Sequence, residues 1–95
     1  MGTPLCEAEA LAGILRERGM TLACAESCTG GMIGSEITRM PGASSFFLGS
    51  AVTYSNDAKE NILGVSHETL LEHGAVSAET AGEMVRGAMR IYGSD

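Results

Sequence analysis

The sequence predicts a single α/β domain spanning residues 1–95. Two short apolar runs, Thr21–Ala25 and Phe46–Tyr54, have the length and composition of strands, and the segments around them repeat apolar residues at helical spacing. The resulting order is helix, strand, helix, strand and then helices only, the alternation of an α/β sheet. The chain stops at Asp95, where a third strand is expected to follow the last helix. Two strands leave an apolar helix stripe without cover. The sheet is therefore expected to be truncated before its third strand and completed by a second copy or by a chain supplying the missing strands.

The first helix is marked at both ends. Thr3 caps it, Pro4 fits its first turn, and Gly19 ends it. Ala8, Leu11, Ala12 and Leu15 form one apolar face, and Arg16 and Arg18 complement the negative end of the dipole. The strand Thr21–Ala25 then breaks into a helix over Met32–Arg39 through Ala25-Glu26-Ser27-Cys28-Thr29-Gly30-Gly31. Such a junction lifts Ser27 out of the strand end and leaves the first helical N–H groups unpaired beside it. Those groups, around Cys28 to Gly30, suit a phosphate or a developing oxyanion. The plainer reading is a Ser/Thr cap followed by glycines that let helix and strand pack closely. Pro41-Gly42 stops the helix.

The second strand, Phe46–Tyr54, is expected to bend or bulge at Gly49-Ser50. It runs into a third helix through Tyr54-Ser55-Asn56-Asp57-Ala58-Lys59, where Asn56 or Asp57 caps and Asp57 with Glu60 has capping-box spacing. Lys59 falls in the first turn, facing the positive end of the dipole, at a cost of about a few tenths of a kcal/mol. Either another interaction holds it there or it points at water. Gly64 closes that helix. Ser66 caps the next, which Leu70 and Leu71 anchor as far as Gly74. Ser77 starts the last helix, with an apolar stripe of Ala81, Met84, Val85, Ala88 and Tyr92. His67 and His73 read as surface or capping residues.

Composition narrows the function classes. A chain of 95 residues buries a modest share of its surface, and with two Phe and two Tyr its core must be filled by Met, Ala and Gly. The net charge of −6, with Lys and Arg scattered, argues against a nucleic-acid or anionic-membrane partner. No apolar run reaches the length of a membrane span, and no signal peptide opens the chain, so a cytoplasmic protein is expected. Cys6, Cys24 and Cys28 do not make a disulfide framework. Cys24 and Cys28 with His67 and His73 form a poor zinc pattern, and no metal site is expected. Cys28 rivals Ser27 as nucleophile, since a thiol at a helix N-terminus ionises more readily; its plainer reading is a small buried filler.

Several blocks then carry a resemblance. Ala25 to Gly31, Pro41-Gly42-Ala43-Ser44 with Phe47, Val52-Thr53-Tyr54-Ser55-Asn56 with Lys59, Leu63-Gly64-Val65 and Gly74-Ala75-Val76-Ser77 follow one another through nearly the whole chain. In this the sequence resembles the C-terminal domain of the competence/damage-inducible protein CinA, a family that includes stand-alone nicotinamide mononucleotide deamidases (PncC). The resemblance implies a three-layer α/β/α fold and an amidohydrolase of pyridine-nucleotide salvage. Its reaction would convert nicotinamide mononucleotide (NMN) and water to nicotinic acid mononucleotide and ammonia, with no metal or cofactor. It implies Ser27 as nucleophile, Lys59 as its base in a Ser-Lys arrangement, and Tyr54 orienting the lysine or relaying a proton. It further implies substrate binding by Cys28, Thr29, Gly30, Gly31, Ser44 and Asn56.

Ser50 stands where many relatives have a second glycine. The family's further strands, with a Thr-Gly-Ile-Ala-Gly-Pro-like turn, lie beyond Asp95, so residues 1–95 correspond to the first part of the domain. A second reading from another class follows from that: a catalytically silent fragment serving as a nucleotide-binding or assembly module. Ammonia release from NMN separates the two.

Overall fold

A computed structural model describes residues 2–95, with side chains from residue 7 onward. The order is α1 (Gly2–Arg18), β1 (Leu22–Glu26), α2 (Met32–Thr38), a 3-10 turn (Ala43–Ser45), β2 (Phe47–Val52), α3 (Asn56–Leu63), α4 (His67–His73) and α5 (Ala78–Tyr92). The capping by Thr3, the fit of Pro4 and any role of Cys6 lie outside the described side chains.

β1 and β2 pair in parallel, with α2 as the crossover between them. Helices cover both faces. On one side Ala12 and Leu15 of α1, Ile37 of α2, and Met40, Ala43 and Phe46 beyond it form a buried cluster against Leu22, Cys24 and Phe47. On the other, Leu63, Val65, Leu70, Met84 and Ala88 from α3 to α5 pack on Ala25, Ala51 and Tyr92. The expected three layers are thus present, α/β/α, around a sheet of two described strands.

Side-chain alternation explains the layers: Leu22 and Cys24 point to the α1–α2 side, and Ala25 to the α5 side. In β2 the alternation is reset. Leu22 pairs with Phe47 but Ala23 pairs with Gly49, so Leu48 is the extra residue of a bulge. The bulge lies just ahead of the predicted Gly49-Ser50 position. It leaves Phe47 on the α1–α2 side, turns Gly49 toward Tyr92 of α5, and brings Ser50 back toward α2. Gly49 is required twice over. Its φ is +154°, and a Cβ there would lie 2.8 Å from the Tyr92 ring.

Three expectations about local structure are corrected. Ser55, in extended backbone, caps α3 by accepting from the Ala58 N–H at 3.0 Å, so Asn56 and Asp57 become first-turn residues. Glu60 turns instead to the His67 ring. The buried side of α5 is Thr80, Met84, Gly87 and Ala88, while Val85 is exposed, because α3 draws the helix in at Gly87. A Cβ on Gly87 would come within 2.1 Å of the Leu63 carbonyl oxygen. Arg16 does more than complement a dipole. Its guanidinium donates to Ser45 Oγ and to the carbonyls of Pro41 and Gly42, and it sits 5.2 Å from the centre of the Phe46 ring.

Candidate active site

The site forms where the C-terminal ends of both strands release the chain, the usual position for a ligand in a parallel α/β sheet. Ser27 follows the last residue of β1, and Thr53 and Tyr54 follow the last residue of β2. Consecutive carbonyls of an extended strand point to opposite sides. After Val52 the chain leaves strand geometry, and the carbonyls of Thr53 and Tyr54 both accept from one group, the Lys59 Nζ, at 2.9 and 3.0 Å. The third direction of that nitrogen meets Ser27 Oγ at 3.0 Å. Lys59 is 1% exposed although it stands in the first turn of α3. These contacts are what holds a lysine against an unfavourable dipole.

All three directions of Nζ that do not carry its own carbon are therefore used. As an ammonium the group donates to two carbonyls and the serine. As a neutral amine it donates to the carbonyls and presents its lone pair to the Ser27 hydroxyl. The same geometry serves both protonation states without rearrangement. Among the described residues no carboxylate lies within ion-pair distance of it.

The turn itself is held by Glu26, a residue for which the sequence reading had no role. Its side chain is 3% exposed. It accepts from the N–H groups of Ile33 and Gly34 at 2.8 and 2.9 Å, from Thr29 Oγ1 at 2.9 Å and from Ser50 Oγ. Burial pushes its acidity toward the neutral form, but the hydrogen bonds from Ser50, Gly34, Ile33 and Thr29 together outweigh it and hold the carboxyl below the usual range. A sequence signal was available. Glu26 continues the inward alternation of Leu22 and Cys24, and a carboxylate at an inward position needs donors.

Glu26 also changes the expected anion site. Two amides of the α2 N-terminus are taken by its carboxylate, and the Gly30 N–H is taken by the Ser27 carbonyl at 3.1 Å. Among the described residues, the N–H groups of Cys28 and Thr29 have no acceptor within the chain. Gly30 and Gly31 have φ of +67° and +112°, which lets the turn reverse before α2 begins.

Ser27, Cys28 and Thr29 share a cleft of about 260 Å³ with Ala25, Glu26, Ile33 and the α5 residues Ala81, Met84 and Val85. Cys28 is exposed, so it is not the buried filler of its plainer reading. Tyr54 reaches Lys59 through its carbonyl, while its side chain is 75% exposed. Asn56 is exposed in the first turn of α3, the turn that carries Lys59. Ser44 is not brought to this group. It lies in the 3-10 turn before β2, at the end of the sheet opposite Ser27.

The model of the CinA C-terminal domain matches residues 6–95. The chain belongs to this family. CinA-like proteins of Geobacter metallireducens and Thermotoga maritima are 58% and 51% identical to it over 85 and 87 residues, covering 90% and 92% of this chain and 21% of each relative. Among solved structures, the competence/damage-inducible proteins of Agrobacterium tumefaciens and Klebsiella pneumoniae superpose with a TM-score of 0.95 at 38% and 36% identity. They cover 99% and 97% of this chain, which spans 57% of each of theirs. The CinA domain described here thus corresponds to about a fifth of the curated relatives and just over half of the solved chains. Among the described residues no helix is long and apolar enough to cross a membrane.

Proposed function

We propose that this CinA domain carries the nucleophile and base of an amidohydrolase acting on the carboxamide of NMN. The observation that carries the reading is the Lys59 Nζ to Ser27 Oγ approach of 3.0 Å, with the other two directions of the nitrogen fixed on the Thr53 and Tyr54 carbonyls.

In this reading neutral Lys59 takes the Ser27 proton as Oγ attacks the carboxamide carbon. The N–H groups of Cys28 and Thr29, without acceptors in the chain, are the donors for the resulting oxyanion. The Lys59 ammonium returns the proton to the leaving nitrogen, ammonia departs, and an ester to Ser27 remains. Water, deprotonated by Lys59, then cleaves the ester and frees the acid and the serine. The apolar walls at Ala25, Ile33, Ala81, Met84 and Val85 suit the flat face of a pyridine ring. Tyr54 and Asn56 flank the lysine as positioning and substrate-binding candidates. Ser44, at the far end of the sheet, would serve substrate only across an assembly of chains.

Ammonia release from NMN by the wild-type protein and by Ser27→Ala tests the reading. Release that depends on Ser27 supports it, and release unaffected by the substitution removes it. A second reading, an assembly module, is favoured by one specific observation. Among the described residues β1 and β2 pair only with each other, so each keeps an open edge.

A further inference from the structure

We propose that Glu26 is a positioning residue for the Ser27–Lys59 pair, acting through the turn that carries Ser27. This inference rests on the amidohydrolase reading for its catalytic consequence. The geometry behind it is local and complete. The Glu26 side chain ties together the start of α2 at Ile33 and Gly34, the middle of the turn at Thr29, and β2 at Ser50. Its carbonyl accepts from the Thr53 N–H at 2.8 Å, and the Thr53 carbonyl in turn holds Lys59. One residue thus anchors the nucleophile on its own C-terminal side and the cradle of the base on the neighbouring strand.

A carboxylate suits this place better than its amide. Four donors converge on the side chain, two backbone N–H groups and two hydroxyls. A carboxylate accepts from all of them, whereas Gln would turn an NH₂ against at least one. The Ser27–Gly31 segment has two left-handed glycines and few contacts of its own, so without the carboxylate its position relative to α2 is free to drift. A drift on the order of 1 Å costs about 100-fold in rate when it separates reacting groups.

Glu26→Gln is expected to lower kcat on NMN by about 100-fold while KM stays within about threefold, because the loss is one of alignment and not of substrate contact. Thr29→Val removes one of the four links at an exposed position and keeps the fold if Glu26→Gln does not. It is expected to lower kcat by about tenfold, and the double variant should be no slower than Glu26→Gln alone, since both act through one link. A normal kcat in folded Glu26→Gln, a pure KM effect in Thr29→Val, or additive losses would overturn the proposal.

A readout without turnover separates this from the reading beneath it. In wild type the Lys59 Nζ protons, held by the Thr53 and Tyr54 carbonyls beside Ser27 Oγ, should exchange slowly and give a resolved ¹H–¹⁵N correlation. In Glu26→Gln that exchange should accelerate by about tenfold or more, as expected when a buried hydrogen bond opens locally. An unchanged Lys59 signal overturns positioning. Wild-type protein that releases no ammonia overturns the deamidase reading, and the Lys59 signal then still decides for or against Glu26.

Discussion

Lys59 Nζ and Ser27 Oγ stand 3.0 Å apart although 32 positions separate them in the chain. Two different strand ends create that meeting. β1 delivers the serine, and the exit of β2 turns two successive carbonyls onto the lysine, so the pair exists only if both strands end in register.

The first prediction concerns the proposed nucleophile. Ser27→Ala should reduce ammonia release from NMN to background with the thermal midpoint nearly unchanged, because the residue is half-buried and its hydroxyl makes a single contact within the chain. Cys28→Ala should keep most of the activity. A folded Cys28→Ala protein without activity would point to the thiol instead.

Lys59 should tolerate no substitution that keeps both activity and stability. Lys59→Arg keeps a charge but cannot serve as a base, and its planar fork does not match three acceptors around one nitrogen. Lys59→Met removes the amine and leaves the Thr53 and Tyr54 carbonyls unpaired, a loss of about 1–3 kcal/mol for each buried polar group left unsatisfied. Denaturant melts and ammonia assays on both variants check this. An active Lys59→Arg enzyme would rule out the lysine as base.

These two residues were legible in the sequence as a pair only through the family resemblance. Their local signals were a serine at a strand end and a lysine on the wrong end of a helix. The caps Ser66 and Ser77 and the glycine stops at Gly64 and Gly74 were legible because capping is decided within a few residues. What escaped was decided by neighbours distant in sequence. The inward side of α5 is set by the approach of Gly87 to Leu63, and the bulge by how β2 must meet β1 and α5 together. Glu26 was visible as an inward carboxylate, but its partner Ser50 is supplied by another strand.

The third prediction tests the helix contact. Gly87→Ala places a methyl group where a Cβ would stand 2.1 Å from the Leu63 oxygen, so α5 and α3 must part. A loss of about 1–3 kcal/mol is expected, the range for overpacking a tight contact. Gly82→Ala, with only the flexible Arg86 side chain near its added carbon, is the control and should instead gain about 0.5–1 kcal/mol, the helix-propensity advantage of Ala over Gly.

The fourth prediction concerns acid. Because the folded state holds Glu26 below its usual range, the unfolded chain binds a proton at this site before the folded one does. The contribution of Glu26 is then fully present above the unfolded value, near pH 4.3, and is lost as pH falls through the lower folded value. Melting curves between about pH 6 and pH 2 should show wild type losing stability over that window and Glu26→Gln losing less of it. Parallel curves would show that another carboxylate dominates.

The fifth prediction concerns association. Leu48 and Val52 of β2 are 44% and 45% exposed, and each strand has an open edge among the described residues. Sedimentation of the 95-residue chain is expected to show self-association. A compact monomer would contradict that expectation.

The bulge at Leu48 sets the phase of everything downstream of it. A strand keeps only two states for each side chain, one face or the other, so drawing the extra residue into the ladder would invert all that follow. Closing the bulge by deleting Leu48 would leave Gly49 opposite Ala23 and the faces beyond it unchanged, whereas a slip that pairs Leu48 with Ala23 would send Ser50 away from Glu26 and Gly49 away from Tyr92 in the same step, and would exchange the faces of Val52 and Thr53. The lysine cradle would be mis-set without any of its own atoms having been changed. One residue at this point of the chain is therefore kept out of the ladder so that the site beyond it stays in phase with β1, and substitutions at Leu48 should be tolerated as long as it stays unpaired.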